Sequence, residues 1–273
     1  MSLLIIDEDK CKKDGFCAQE CPATIIRLRK DSYPEIVEGG DTGCIRCGHC
    51  VAVCPHGALS HADIPIESSP EILEALRIDE AQAEQFLRSR RSVRIFKDKP
   101  VEKEKLQRLI EIARYAPTGG NTQSIEWVVI TDKTRLKKIS DIVIDWLREL
   151  VKDPNVVAAS PYLTMIVAAW DAGYDSVLRN APAIVVASAP KEIMSGQVDV
   201  TIAVTYLDLM APAMGLGACW AGLLQGALSG VPSLKEIVGI PIDHLHHYPI
   251  MVGYNAIKHY RLPERKEPKI AFM

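Results

Sequence analysis

What the sequence lacks narrows its class first. It has no large charge of one sign: the formal net charge over 273 residues is −3, which argues against a nucleic-acid surface as the main business of the chain. The imbalance sits at the front, where residues 1–64 carry seven basic and ten acidic side chains, and the remainder is neutral. No secretion leader is expected, because the apolar start to Ile6 runs directly into Asp7, Glu8 and Asp9 without a basic n-region. No long apolar run is unbroken either. The uncharged, largely apolar stretch Leu209 to Leu228 is interrupted by Pro212, Gly215, Gly217, Gly222 and Gln225. It reads as a buried helix end and a glycine-rich loop rather than a membrane span. Beyond residue 54 cysteine is almost absent, with Cys219 alone. A composition of 48% apolar and 25% charged residues excludes wholesale disorder. The expectation is a cytoplasmic chain of two domains, with no nucleic-acid and no membrane partner.

Seven of the eight cysteines lie between Cys11 and Cys54. Cysteines this dense in a chain for which no leader is expected point to metal ligands rather than disulfides. The second cluster runs from Cys44 through Cys47 and Cys50 to Cys54-Pro55, which is C-x2-C-x2-C-x3-C-P, the bacterial iron–sulfur spacing. Three thiolates at two-residue gaps wrap one cubane cluster, with Gly48 permitting the tight winding. The fourth cysteine, directed away by proline, serves the other cluster of a pair. Zinc is the competing reading of a C-x2-C pair; a third cysteine at the same gap followed by Cys-Pro argues against it. The first cluster keeps the spacing in Cys11, Cys17 and Cys21-Pro22, but Asp14 stands where the second cysteine belongs.

This N-terminal unit resembles the bacterial two-cluster ferredoxins over roughly residues 3–62, some of which carry aspartate at that position. The resemblance implies one 4Fe-4S cluster on Cys44, Cys47, Cys50 and Cys21, and a second, 4Fe-4S or 3Fe-4S, on Cys11, Cys17 and Cys54. Asp14 is then either its fourth ligand or a solvated loop aspartate beside a three-iron cluster. As a ligand it is a harder donor than thiolate, so its iron is held less tightly.

Three segments are expected: a ferredoxin-like domain over 1–64, a linker with a docking helix over 65–85, and a larger domain over 86–273. Within the linker, Glu71 to Gln85 reads as helix, with Ile72, Leu76 and Ile78 as apolar points. In the larger domain, Leu106, Leu109, Ile110 and Ala113 recur at helical spacing after Pro100, and the helix stops near Pro117 and Gly119-Gly120. Trp127–Thr131 and Ala183–Ala187 are short β-branched runs, hence buried strands, and Ile250–Tyr254 is a last strand. Val198–Met214 is apolar nearly all round and predicts a central core helix. The tail from Lys258 is polar and either frays or embraces a partner chain.

Arg90, Arg91, Ser92 and Arg94 combine guanidiniums with a hydroxyl, a set suited to a dianionic phosphate because arginine donates bidentate, charge-assisted hydrogen bonds. Alone, such a run is more often a solvated face. Three further segments follow in order: Ala116 to Ser124, Gly215 to Gly222, and Gly253-Tyr254 with Tyr260-Arg261 and Arg265. The ordered set resembles the nitroreductase family of FMN enzymes over roughly residues 86–273. The fold implied is α+β, a central mixed sheet flanked by helices. The resemblance implies that Arg90, Arg91, Ser92 and Arg94 hold the FMN phosphate and ribityl chain. It implies that Pro117, Thr118 and Gly119, with Asn121 and Gln123 beside them, reach the flavin from the partner of a homodimer. It further implies that Trp220, Ala221 and Gly222 lie against the isoalloxazine and that Arg261 binds the phosphate, with Arg265 a weaker candidate.

Other residues are discounted. Cys219 reads as a small packed residue rather than a nucleophile, and His244, His246 and His247 as a solvated turn between Pro241 and Pro249. Trp170 and Tyr162 line a pocket or pack in the core. No catalytic proton donor is identified.

The function implied is an oxidoreductase that takes electrons through two iron–sulfur clusters to FMN and on to a small organic acceptor. A ferredoxin, a reductase or a nicotinamide is the donor. The alternative is a non-catalytic electron-transfer or redox-sensing module serving protein partners. A third reading, a flavin-degrading or dehalogenating specialist, needs a lid, for which Thr134 to Asp153 is the only candidate.

Overall fold

The computed structural model describes residues 2–273. The chain divides into two compact units, the first running to Ile78 and including Gly120–Thr122, the second comprising Asp79–Gly119 and Gln123–Met273. The boundary therefore falls inside the segment expected to be a linker.

The first unit is built twice over. Strand β1 (Leu4–Ile6) is followed by helix α1 (Phe16–Gln19), β2 (Ile26–Arg27), β3 (Glu35–Ile36), α2 (His49–Ala52) and β4 (Leu59–His61). β1 pairs with β4 and β2 with β3, both antiparallel. Each short helix opens on a glycine in the left-handed region, Gly15 at φ 79° and Gly48 at φ 74°. A side chain there would be strained, which accounts for glycine at equivalent points of the repeat. Each helix buries one cysteine, Cys17 or Cys50, against a small core of Leu4, Ile25, Ile26, Val51 and Leu59. A core this small supplies no more than about 3–5 kcal/mol, and small domains of this kind use metal staples.

Between Pro65 and Ile78 the chain makes two single 3-10 turns, Ile66–Ser68 and Glu74–Leu76. The helix expected over Glu71–Gln85 begins only at Glu80. There Asp79 and Gln82 form a reciprocal capping box, and α3 (Glu80–Ser89) runs from it. Ile72, Leu76 and Ile78 precede it and are exposed rather than docked.

The second unit centres on a four-stranded sheet of β5 (Glu126–Ile130), β6 (Ala183–Ala189), β7 (Gly217–Trp220) and β8 (His246–Gly253), in the order β5-β6-β8-β7. Its three pairings are all antiparallel where a mixed sheet is expected. β6 is buried along its whole length because helices cover both faces. On one face α4 (Lys103–Ala113) and α8 (Gly196–Ala213) pack Leu109, Leu207 and Ala211 on Val185, Ala187, Ile250 and Val252. The other face meets α5 (Lys133–Leu150), α7 (Tyr162–Asp171), α9 (Gly222–Gly230) and α10 (Pro232–Val238) through Ile184, Val186 and Met251, with the short α6 (Pro154–Ala159) beside α7. Among the described residues no helix is long and apolar enough to cross a membrane.

Several expectations change. β5 is an edge strand, so only Ile130 of it is buried and Val129 is 40% exposed. The glycine-rich stretch after α8 is a strand, β7, followed at once by α9. α8 buries Val200, Val204, Leu207 and Ala211 but leaves Val198 and Tyr206 in solvent, so it is a two-faced helix. Thr134–Asp153 is α5 with its last turn, anchored by Ile139, Val143, Ile144 and Leu147, and is no lid. His244 and His247 are each 3% exposed, not solvated. Strand β8 carries His247 into a bond with Gln225 (3.0 Å), and His244 meets the buried Ser188 hydroxyl (2.8 Å). Burial, with the charge of Lys235 next, pushes the His247 imidazole down to about 4. Cys219 is buried as expected; Tyr162 is exposed, and Trp170 lies partly against the core. Residues 258–273 are exposed and have no regular structure.

Candidate functional site

Two cavities in the first unit sort the cysteines. One is lined by Cys21, Cys44, Cys47 and Cys50 with Leu4, Ile25, Ile26 and His61. The other is lined by Cys11, Asp14, Cys17 and Cys54 with Ile6, Leu59 and His56. The thiol chemistry divides in the same way. Burial, then the charges of Cys47, Cys21 and Cys44, pushes the Cys50 thiol up to about 11. Burial, opposed by backbone hydrogen bonds, also pushes Cys17 up, and the cysteines that add to it are Cys54 and Cys11. The buried Cys17 and Cys50 thiolates call for a compensating positive charge, which iron supplies. The donor sets fit two iron–sulfur clusters. Asp14 faces the second cavity with both oxygens engaged: Phe16 N donates to Oδ1 (3.4 Å), and His56 Nε2 lies 3.2 Å from Oδ2.

In the second unit, the chain after α3 runs extended beside β7, with Val93 N donating to the Ala218 carbonyl (2.9 Å). Val93 points inward and is 5% exposed. A Cβ on Gly217 would overlap it, so glycine permits the close approach. Ser92 and Arg94 alternate onto the other side. This pairing brings the arginine segment next to Trp220, Ala221 and Gly222, where β7 turns into α9.

The arginines are not equivalent. Arg90 is committed to Asp208: the guanidinium lies 3.3 Å from a carboxylate whose side chain is 5% exposed. The same carboxylate oxygen accepts from Trp220 Nε1 at 3.0 Å, and the Trp220 ring meets Tyr248 edge-on at 4.7 Å. Among the described residues neither Arg91 nor Arg94 pairs with a carboxylate; Arg94 donates only to the Ser92 carbonyl. Burial raises the Cys219 thiol, and the Arg94 and Arg179 guanidiniums and the Ser92 hydroxyl pull it back.

The Pro117–Gln123 loop is held from within and below. Gln123 N donates to Thr118 Oγ1 (3.1 Å), and Gly119 N to Asp199 Oδ1 (3.0 Å), while Ser195 Oγ bonds the other oxygen of Asp199 (2.8 Å). Gly120–Thr122 counts with the first unit, in which Asn121 Nδ2 donates to the Ile45 and Arg46 carbonyls at 2.9 Å each. Asn121 is therefore engaged within the first unit. Arg261 and Arg265 lie in the exposed tail, whose Glu264 pairs with Arg88 at 3.2 Å. Within one chain they are not drawn to the Ser92–Arg94 segment.

Comparison with known proteins finds that residues 87–254 match the Nitroreductase family. The chain belongs to the nitroreductase family.

Residues 3–55 match a 4Fe-4S dicluster domain, so this nitroreductase carries a ferredoxin-like unit ahead of its family domain. An FMN reductase [NAD(P)H] of Bacillus subtilis is 26% identical over 183 residues, 65% of this chain and 69% of that protein. Ferredoxin 7Fe of Hydrogenibacillus schlegelii is 39% identical over 54 residues, 19% of this chain and 60% of the ferredoxin. The crystal structure of a nitroreductase with bound FMN from Bacteroides fragilis superposes with a TM-score of 0.58 at 19% identity, covering 72% of this chain and 100% of that one. That likeness establishes the α+β fold, and family membership makes the chain an oxidoreductase.

Five residues of this nitroreductase escape sequence reasoning: Asp208, Asp199, Arg179, His56 and His61. Asp208 and Asp199 sit in an apolar helix, and a carboxylate there is itself a signal, since an unpaired buried charge is too costly to keep. Arg179 occupies a turn at φ 57°, fixed because Asp175 accepts the Val177, Leu178 and Asn180 N–H groups. Nothing in its sequence context marks it.

Proposed function

We propose that this chain is an FMN-dependent oxidoreductase fed by two iron–sulfur clusters, which passes electrons to a small organic acceptor. The observation that carries the reading is the sorting of Cys21, Cys44, Cys47 and Cys50 into one cavity, and of Cys11, Asp14, Cys17 and Cys54 into another, in a chain of the nitroreductase family. When bound, the clusters supply one-electron transfer and the flavin supplies one- or two-electron chemistry. The Bacillus subtilis and Hydrogenibacillus schlegelii relatives, by their names an FMN reductase and a seven-iron ferredoxin, support the two halves of the reading separately. Seven irons correspond to one four-iron and one three-iron cluster, which fits a position where aspartate replaces cysteine.

Arg94 and Arg91, free of carboxylates, are the cations we assign to the flavin phosphate, with Ser92 beside them. Arg90 instead braces the segment through Asp208. Trp220, Ala221 and Gly222 present backbone at the start of α9, whose cap residue has no side-chain hydrogen bond; their role is to meet the flavin ring. The outer face of α8, with Val198 60% and Tyr206 38% exposed, supports a homodimer, in which Pro117–Gly119 and Arg261 reach the partner's flavin. The donor is a one-electron protein, and a nicotinamide is its competitor.

The test is anaerobic reduction of the reconstituted protein, followed by absorption and EPR, with denaturation to release the chromophore. The expected result is FMN and two clusters' worth of iron and sulfide, with the flavin reduced through the clusters and reoxidised by a small acceptor. FAD or no flavin would overturn the FMN assignment. Reoxidation by protein acceptors alone would favour an electron-transfer module.

A further inference from the structure

We propose that His61 tunes the all-cysteine cluster, by donating a hydrogen bond from its Nε2–H to the Cys44 thiolate and so raising that cluster's reduction potential. The inference rests on the iron–sulfur reading above and assigns a residue that neither the cysteine spacing nor the family matches point to.

His61 ends β4 and is 2% exposed. Its backbone is fixed on both sides, by antiparallel pairing with Leu4 and by mutual bonds with Ile64 of 3.3 and 3.0 Å. Its ring has one available tautomer. Asp63 N donates to Nδ1 at 3.0 Å, so Nδ1 is an acceptor and the ring proton resides on Nε2. Asp63 is itself held by Arg46, whose Nε lies 2.6 Å from Oδ2. Nε2 then meets Cys44 Sγ at 3.5 Å. In so dry a position an N–H without an acceptor carries the full desolvation penalty, and the sulfur is its acceptor.

The consequence is electrostatic. Hydrogen bonds to ligating sulfur are among the levers that set an iron–sulfur potential. A donor at Cys44 Sγ draws density from the thiolate and favours the more negative, reduced cluster; one electron is gained, and no bond forms or breaks. The second cavity has no counterpart. Cys54 Sγ accepts from a backbone N–H, that of Ala58 at 3.3 Å, and among the described residues no side-chain N–H reaches a cysteine sulfur there. The two halves of the repeat are thereby made unequal: a side-chain N–H meets a cysteine sulfur in one and a backbone N–H does so in the other.

The test uses the full-length holoprotein, with EPR-monitored titration by titanium(III) citrate, on wild type, His61→Leu and His61→Gln. In His61→Leu the potential of the all-cysteine cluster should fall by about tenfold in the reduction equilibrium constant, about 59 mV for one electron. His61→Gln retains an N–H at the same reach and should recover most of the shift. The other cluster and the flavin should titrate as in wild type. As a check independent of cluster loss in His61→Leu, the wild type is also measured by pulsed EPR with 15N-histidine in H2O and D2O. An exchangeable deuteron and a histidine nitrogen coupled to the reduced cluster support the bond, and their absence overturns it. Equal potentials in wild type and an intact His61→Leu protein would overturn the proposal alone. A wild type that takes up no iron and sulfide would overturn the iron–sulfur reading with it.

Discussion

Asp208→Ala probes the joint between the arginine segment and the Trp220 loop. One carboxylate oxygen holds both Arg90 and Trp220 Nε1. Removing it leaves the indole N–H unsatisfied, at roughly 1–3 kcal/mol. It also strands a guanidinium whose side chain is 26% exposed. Losing one partner of a fully buried pair costs about 3–5 kcal/mol. Arg90 can turn toward water, so roughly 1 kcal/mol is the share expected here. The total is about 2–4 kcal/mol, or a melting point lower by roughly 5–15 °C for a unit of this size.

The pH dependence supplies a sharper check. Burial holds the Asp208 carboxyl above its ordinary 3.8, opposed by the Trp220 and Arg90 bonds. The folded carboxyl thus binds its proton more tightly than the unfolded one. Its stabilisation is complete below about 3.8 and is lost as pH rises through the folded value. Asp208→Asn, which accepts but does not ionise, should gain on wild type across that rise. Urea unfolding of the flavin-free protein at stepped pH would measure both effects. A destabilisation below about 0.5 kcal/mol for Asp208→Ala, within the range of an inert surface change, would refute the joint.

Four further outcomes are expected. Arg94→Ala and Arg91→Ala should each weaken flavin binding roughly ten- to a hundredfold by equilibrium dialysis, since a charge-assisted contact is worth roughly 1.5–3 kcal/mol; Arg90→Ala should act mainly on stability, and equal flavin loss from all three would contradict the division of roles. Asp14→Cys should suppress conversion of the first cluster to a three-iron form after brief air exposure, counted by EPR, and low pH should speed that loss in wild type because a protonated carboxylate binds metal poorly. Val198→Glu with Tyr206→Glu should lower dimer content and flavin occupancy together in sedimentation runs; a monomer with full flavin would count against the interface. With His247 held at about 4, its neutral ring stabilises the fold above its ordinary 6.5, and that stability is lost as pH falls toward 4; an acid unfolding curve unchanged in His247→Gln would show that this ring does not carry the effect.

The sequence by itself determined the local chemistry. Short-range spacing carried the C-x2-C-x2-C-x3-C-P run and the Asp14 exception, and Gly48 announced a tight turn, found at φ 74°. The helical period of Leu106, Leu109 and Ala113 located α4, and the β-branched run Ala183–Ala187 located β6. These features depend on backbone sterics and on residues a few positions apart, which a linear reading captures.

Tertiary structure decided the partnerships. Trp127–Ile130 and Ala183–Ala187 look alike as strings, yet only neighbours across the sheet make one an edge and the other a centre. Arg90 and Arg94 are four residues apart and equally basic. Asp208, more than a hundred positions away, commits one and leaves the other without a carboxylate among the described residues. His61 is an unremarked histidine until the β1–β4 pairing and the Asp63 amide turn its Nε2–H onto Cys44. Burial and long-range hydrogen bonding assign these roles because both are properties of what surrounds a side chain, and that is fixed only when the chain closes.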